Sequence, residues 1–144
     1  MSSGYCLQIA IGPAQDFINP SRRLRDLWAG SYLLSWLSAE AMAAALRHRH
    51  TVRLLAPETE KPGPQRPGTD IDEMLAAVLW PESVTGDAPR FGSLTNQFAI
   101  LVDDGAGDAG PSEVADAALT AVRDAWSRLS AEVWQAFVAR AIET

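Results

Sequence analysis

The longest apolar pattern in this chain runs from Leu24 to about His48 and limits what the rest can fold into. Leu24, Leu27, Trp28, Ser31, Leu34, Ser38, Ala41, Met42 and Ala45 step by three and four, the repeat of one helix face. Leu33, Trp36 and Leu37 widen that face, so the pattern predicts a long helix buried on more than one side. Asn19 followed by Pro20 predicts its start, because asparagine caps helix N-termini and proline suits the first helical position. Such a helix needs other elements to cover it, and the remaining segments must supply them.

The run GYCLQIAIG, Gly4 to Gly12, reads as a strand with Leu7, Ile9 and Ile11 on one face and Gln8 and Ala10 on the other. Gly12-Pro13 ends it, and a short helical turn follows from Ala14 to Ile18. TVRLLAP, residues 51–57, is a second strand. Residues 58–69 read as a flexible surface loop, because their proline and glycine content opposes packing. Asp70 is the expected cap of a short helix reaching Leu79, and LWPES is open between a helix end and a strand. NQFAILV, Asn96 to Val102, is a third strand. Asp103-Asp104 after it reads as turn chemistry rather than a catalytic pair, since glycines follow at once. Pro111 opens a last helix, with Ala115, Leu119, Val122, Trp126, Leu129, Val133 and Phe137 as a narrow packing seam. On its wet side Asp124 faces Arg128 one turn later.

The resulting order is strand, helix, strand, strand, helix. That is an α+β chain with two long helices on one face of a small antiparallel sheet, one strand short of the βαββαβ ferredoxin-like pattern. In that pattern the absent strand lies beside the first, so residues Tyr5 to Ile11 are expected to form a sheet edge. With 144 residues and 47% hydrophobic content, a single domain with an ordinary core is expected over 1–144.

Charge and chemistry narrow the function. A net charge of -6, from 12 basic and 18 acidic residues, excludes a general nucleic-acid coat protein, which needs a broad cationic surface. Cys6 is the single cysteine, so there is no internal disulfide, and it reads as a buried strand thiol rather than a nucleophile. His48 and His50 have no Cys, Asp or Glu ligand close by in sequence and suit a helix C-terminus, so no metal site is assigned. Trp28, Trp36, Trp126 and Trp134 fall at helical spacings, and at least three are expected in the core. No basic leader or long apolar run is present, which points to a cytoplasmic protein with no membrane partner.

The segments IGPAQDFI, SRRLRDLWAGSYLLSWL, LTNQFAILV and AVRDAWSRLSAEVWQAF together resemble the N-terminal palm of the large polymerase/cyclase-like subunit of type III-B CRISPR effector complexes. The resemblance is most specific over the first 37 residues and absent from the proline-rich loop. It implies a protein with two ferredoxin-like palms and ATP in the crevice between them. There, cyclic oligoadenylates are made with divalent metal held by a Gly-Gly-Asp-Asp hairpin of the second palm. Many members also carry an HD nuclease domain. This sequence has neither Gly-Gly-Asp-Asp nor a His-Asp dipeptide, so it is expected to hold the first palm alone, with no catalytic residue and no cofactor of its own.

Under this resemblance Gly12, Pro13, Gln15 and Ser31 become candidate nucleotide contacts, the first two through the strand-to-helix turn and the others as neutral hydrogen-bonding groups. Arg22 and Arg25 have two readings. They contact RNA or phosphate, or Arg25 and Asp26 satisfy one another within the scaffold. Two functions follow. One is a non-catalytic nucleotide-crevice and assembly module working with other effector subunits and guide RNA. The other is one chain of a split cyclic oligoadenylate synthase, active only with a separate metal-binding palm.

Overall fold

In a computed structural model, residues 4–19, 23–60, 71–83, 87–103, 105, 107 and 109–142 are described. The chain forms strand β1 (Gly4–Ala10), helix α1 (Ala14–Ile18), helix α2 (Leu24–Arg47) and strands β2 (Thr51–Ala56) and β3 (Glu58–Glu60). Helix α3 (Glu73–Leu79), a 3-10 turn (Pro81–Ser83), strand β4 (Gln97–Asp103) and helix α4 (Ala109–Val133) complete the body. The last helix continues through a π-helical stretch, Trp134–Ala139, into a final turn, α5 (Arg140–Ile142).

The sheet order is β1-β4-β2-β3, and every neighbouring pair is antiparallel. Strands β1 and β2 therefore run in the same direction on either side of β4, and α2 makes the crossover between them. Register decides which residues meet the helices. Leu7 lies opposite Ile100 and Ile9 opposite Phe98, and Leu54 lies opposite Ile100 from the other side. Directly opposed residues share a sheet face. Phe98, Ile100, Val102 and Leu54 are buried on that face, with Leu7 and Ile9 packed at its margin. Both α2 and α4 contact the sheet and pack against each other, so the fold is α+β with the long helices on the face of this core.

Small residues let the two long helices approach closely. Ser35, Ser38, Ala39, Ala41, Ala43 and Ala45 of α2 are buried, as are Gly110, Val114, Ala118 and Ala125 of α4. Glu40 and Arg128 bridge the pair at 3.3 Å, so Arg128 reaches across to α2 and not to Asp124.

Several sequence expectations change. Helix α2 begins at Leu24 with Arg23 in an extended conformation before it, while Asn19 closes α1; Pro20 lies outside the described residues. The cap of α3 is Asp72, whose carboxylate accepts from the Met74 and Leu75 amides; Asp70 lies outside the described residues. Of the expected loop 58–69, Glu58–Glu60 pairs with β2 as β3, and the remainder lies outside the described residues. In LWPES, Pro81–Ser83 forms the 3-10 turn. Cys6 is exposed, because strand alternation puts it on the face without helices. Asp103 does act in a turn, accepting from the Gly105 amide at 3.1 Å; Asp104 lies outside the described residues.

The tryptophans depart most. Trp36 and Trp80 pack at the core margin, whereas Trp28, Trp126 and Trp134 stay about half exposed. The cause is length. The 25-residue α4 is about 38 Å long and overshoots seven-residue strands of about 23 Å. No residue after Ala125 is buried in α4, the π-helical stretch or α5. The start of α2 overshoots likewise: Leu24 is 82% exposed, and Trp28 rests beside Tyr32 with ring centroids 5.4 Å apart.

Candidate functional site

The end of β1 builds a cavity. Pairing with the β4 side reaches one residue past the strand, where the Ile11 amide donates to the Asn96 carbonyl at 2.8 Å. The Asn96 side-chain amide returns a bond to the Ile11 carbonyl at 2.9 Å. Gly12 and Pro13 then leave the sheet, and Pro13 is extended, with φ -80° and ψ 114°, as α1 begins. Since α1 packs back on α2, the turn faces that helix at Leu34 and Leu37, in its third and fourth turns. The enclosed space is about 330 Å³ and is lined by Ile11, Gly12, Pro13, Ala14, Asp16, Leu34 and Leu37.

Among the described residues this lining is apolar, with one carboxylate and no cation. It suits a flat aromatic base with an attached hydroxyl group that donates to Asp16. It does not fit a triphosphate, which requires cationic or amide donors. Nor do three His, Cys, Asp or Glu side chains converge anywhere among the described residues to hold a divalent metal.

Of the residues singled out in the sequence, Gly12 and Pro13 line the cavity. Gln15 and Ser31 are exposed and lie outside its lining. Arg25 is at the exposed start of α2, its Nε 3.5 Å from the Asp26 carboxylate, an arrangement worth little in water. Arg22 lies outside the described residues. Asp16, Leu34 and Leu37 were not singled out as site residues. Asp16 belongs to the same IGPAQDFI segment, but the two leucines carry no signal distinguishing them from other core positions.

Gly12 has room for a side chain: a Cβ there would meet only the Ala14 nitrogen, at 3.8 Å. The cavity mouth, not the backbone, is what a larger residue would alter. Ser31 is different, because its carbonyl is overlaid by Gly92 of the segment leading into β4. The histidines near the C-terminus of α2 take part in surface contacts, with His50 Nε2 3.3 Å and Arg49 3.2 Å from the Glu113 carboxylate.

No helix among the described residues is long and apolar enough to cross a membrane. The family model for the N-terminal region of the CRISPR-associated protein Cmr2 matches residues 6–131. No curated protein and no solved structure gives a significant match.

Proposed function

The chain belongs to the Cmr2 N-terminal family, and on that premise we propose that it is a nucleotide-crevice and assembly module of a CRISPR type III effector. The observation that carries this reading is the apolar cavity at the end of β1, open to a base and, among the described residues, without the groups that phosphoryl chemistry needs. The chain supplies one wall, with Gly12 and Pro13 beside the base and Gln15 and Ser31 as flanking polar groups. Cations for the triphosphate and ligands for a metal come from another surface, since the residues here do not fit either.

The strand order supports a ferredoxin-like palm as the scaffold. Two parallel strands flank an antiparallel third, and a helical crossover covers one face, which is the split βαβ arrangement. The exposed apolar side chains at both helix overhangs suit an assembly role beside other effector subunits. Arg25 is accessible to guide RNA or phosphate from the same end of α2.

The test is ATP binding by the effector assembled with this chain. Gly12→Val narrows the cavity mouth without a backbone clash, and Gln15→Ala removes one directional hydrogen bond worth about 0.5–1.5 kcal/mol. Both should weaken ATP binding while assembly persists. Equal affinity in both variants would overturn the reading, as would cyclic oligoadenylate synthesis by this chain alone from ATP and magnesium.

A further inference from the structure

The pair Ile11 and Asn96 continues the β1–β4 ladder one step past the strand, but with a substitution. In a regular antiparallel rung of this kind the two residues exchange both backbone bonds. Here the Ile11 amide donates to the Asn96 carbonyl at 2.8 Å, and the return bond to the Ile11 carbonyl comes from the Asn96 side-chain amide at 2.9 Å. The Thr95 hydroxyl donates to the Gln97 carbonyl at 2.6 Å, so the backbone on both sides of Asn96 is tied as well.

Little else holds the chain between this rung and α1. A Cβ at Gly12 would meet only the Ala14 nitrogen, and Pro13 caps α1 without a side-chain bond. Among the described residues no hydrogen bond joins Gly12 or Pro13 to β4 or α2. Glycine also gives the turn a wide choice of backbone angles. The direction in which the chain leaves the sheet is therefore set at the Ile11 carbonyl. Ile11, Gly12 and Pro13 line the cavity, whereas Asn96 does not. The strand itself does not depend on the side-chain bond, since Gly4 to Ala10 stay paired with β4 without it.

We propose that Asn96 is a positioning residue for the nucleotide cavity: its side-chain amide holds the Ile11 carbonyl, and so fixes the wall that Gly12 and Pro13 present to the base. The proposal rests on the nucleotide-crevice reading and adds a residue that governs binding without touching the ligand. Asn96→Ala removes the donor and frees the turn. Asn96→Asp keeps the shape but sets a carboxylate oxygen against the carbonyl oxygen, two acceptors with no proton between them, so it should open the turn further.

The test measures ATP binding by the effector assembled with the full chain. Asn96→Ala should weaken it about threefold or more, and Asn96→Asp about tenfold or more. Ser35→Ala is the control for stability. It removes a buried bond to Leu94, two residues upstream of Asn96, but alters no lining residue, so ATP affinity should stay within about twofold of the parent. Amide hydrogen exchange gives the second readout: in both Asn96 variants Ile11 should exchange faster while Leu7 and Ile9 stay slow and report an intact sheet. Should Asn96→Asp fail to assemble, Asn96→Ala and its exchange pattern decide. Unchanged ATP affinity in the Asn96 variants, with Gly12→Val and Gln15→Ala still weakening it, overturns the positioning role and leaves the crevice reading in place. An equal loss in Ser35→Ala also overturns it, because general stability would then control binding. Unchanged affinity in all of these variants overturns both.

Discussion

The Ser35 hydroxyl accepts a hydrogen bond from the Leu94 amide at 2.8 Å, tying the middle of α2 to the segment that feeds β4, 59 positions later. Ser35 is 1% exposed, so water cannot replace it. Ser35→Ala should leave that amide without a partner and cost about 1–3 kcal/mol. Ser38→Ala is the internal control. Its hydroxyl donates to the Leu34 carbonyl one turn back, at 2.9 Å, where the helix already supplies a partner, so its loss should cost under about 1 kcal/mol. Urea unfolding of the two variants separates these outcomes.

The same segment crosses α2 at Gly92. A Cβ there would lie 2.8 Å from the Ser31 carbonyl oxygen and 2.9 Å from the Tyr32 Cα, both backbone atoms that cannot rotate aside. Gly92→Ala should therefore destabilise the chain by about 1–3 kcal/mol, as overpacking does. Thermal unfolding should show the loss, and a neutral result would mean the segment lifts from α2 without cost.

These two contacts explain part of what the sequence leaves unread. Serines at 31, 35 and 38 fit a helix stripe only as small residues, and nothing local reveals that one of them receives a distant amide. Strand positions were legible because alternation assigns each side chain to a face: Leu7, Ile9 and Ile11 inward, Gln8 and Ala10 outward. The same parity puts Cys6 outward, against the general tendency of thiols to be buried. On α4, periodicity does not choose between adjacent rows. The larger Leu119, Trp126, Val133 and Phe137 look like the seam, yet the alanine-rich surface of α2 admits Val114, Ala118 and Ala125 instead. In the candidate site, Gly12 and Pro13 were readable from a strand ending in a breaker. Leu34 and Leu37 join them only because α1 folds back on α2.

Thr51 begins β2 at 3% exposure, and its hydroxyl has no hydrogen-bond partner among the described residues. Burying a hydroxyl in that state opposes folding, and valine keeps the branched shape suited to a strand. Thr51→Val should raise stability by about 1 kcal/mol, read as a higher urea midpoint with an unchanged slope. A loss of stability would show that the hydroxyl has a role in the fold beyond shape.

The last prediction concerns the end of the long helix, where burial stops. Beyond Ala125 the chain makes two more helical segments without one buried residue, yet it carries Trp134 at 52% and Phe137 at 72% exposure. Side chains that remain in water when the chain folds contribute little to folding, so Trp134→Ser with Phe137→Ser should stay within about 0.5 kcal/mol of the parent stability. The assembly role proposed above assigns their apolar surface to contacts between molecules. Removing it should lower light scattering at high protein concentration and reduce incorporation into the effector. A fall of several kcal/mol in the double variant would contradict this, because it would place both rings in the folded core. Unchanged scattering and unchanged incorporation together would show that the overhang is not a contact surface.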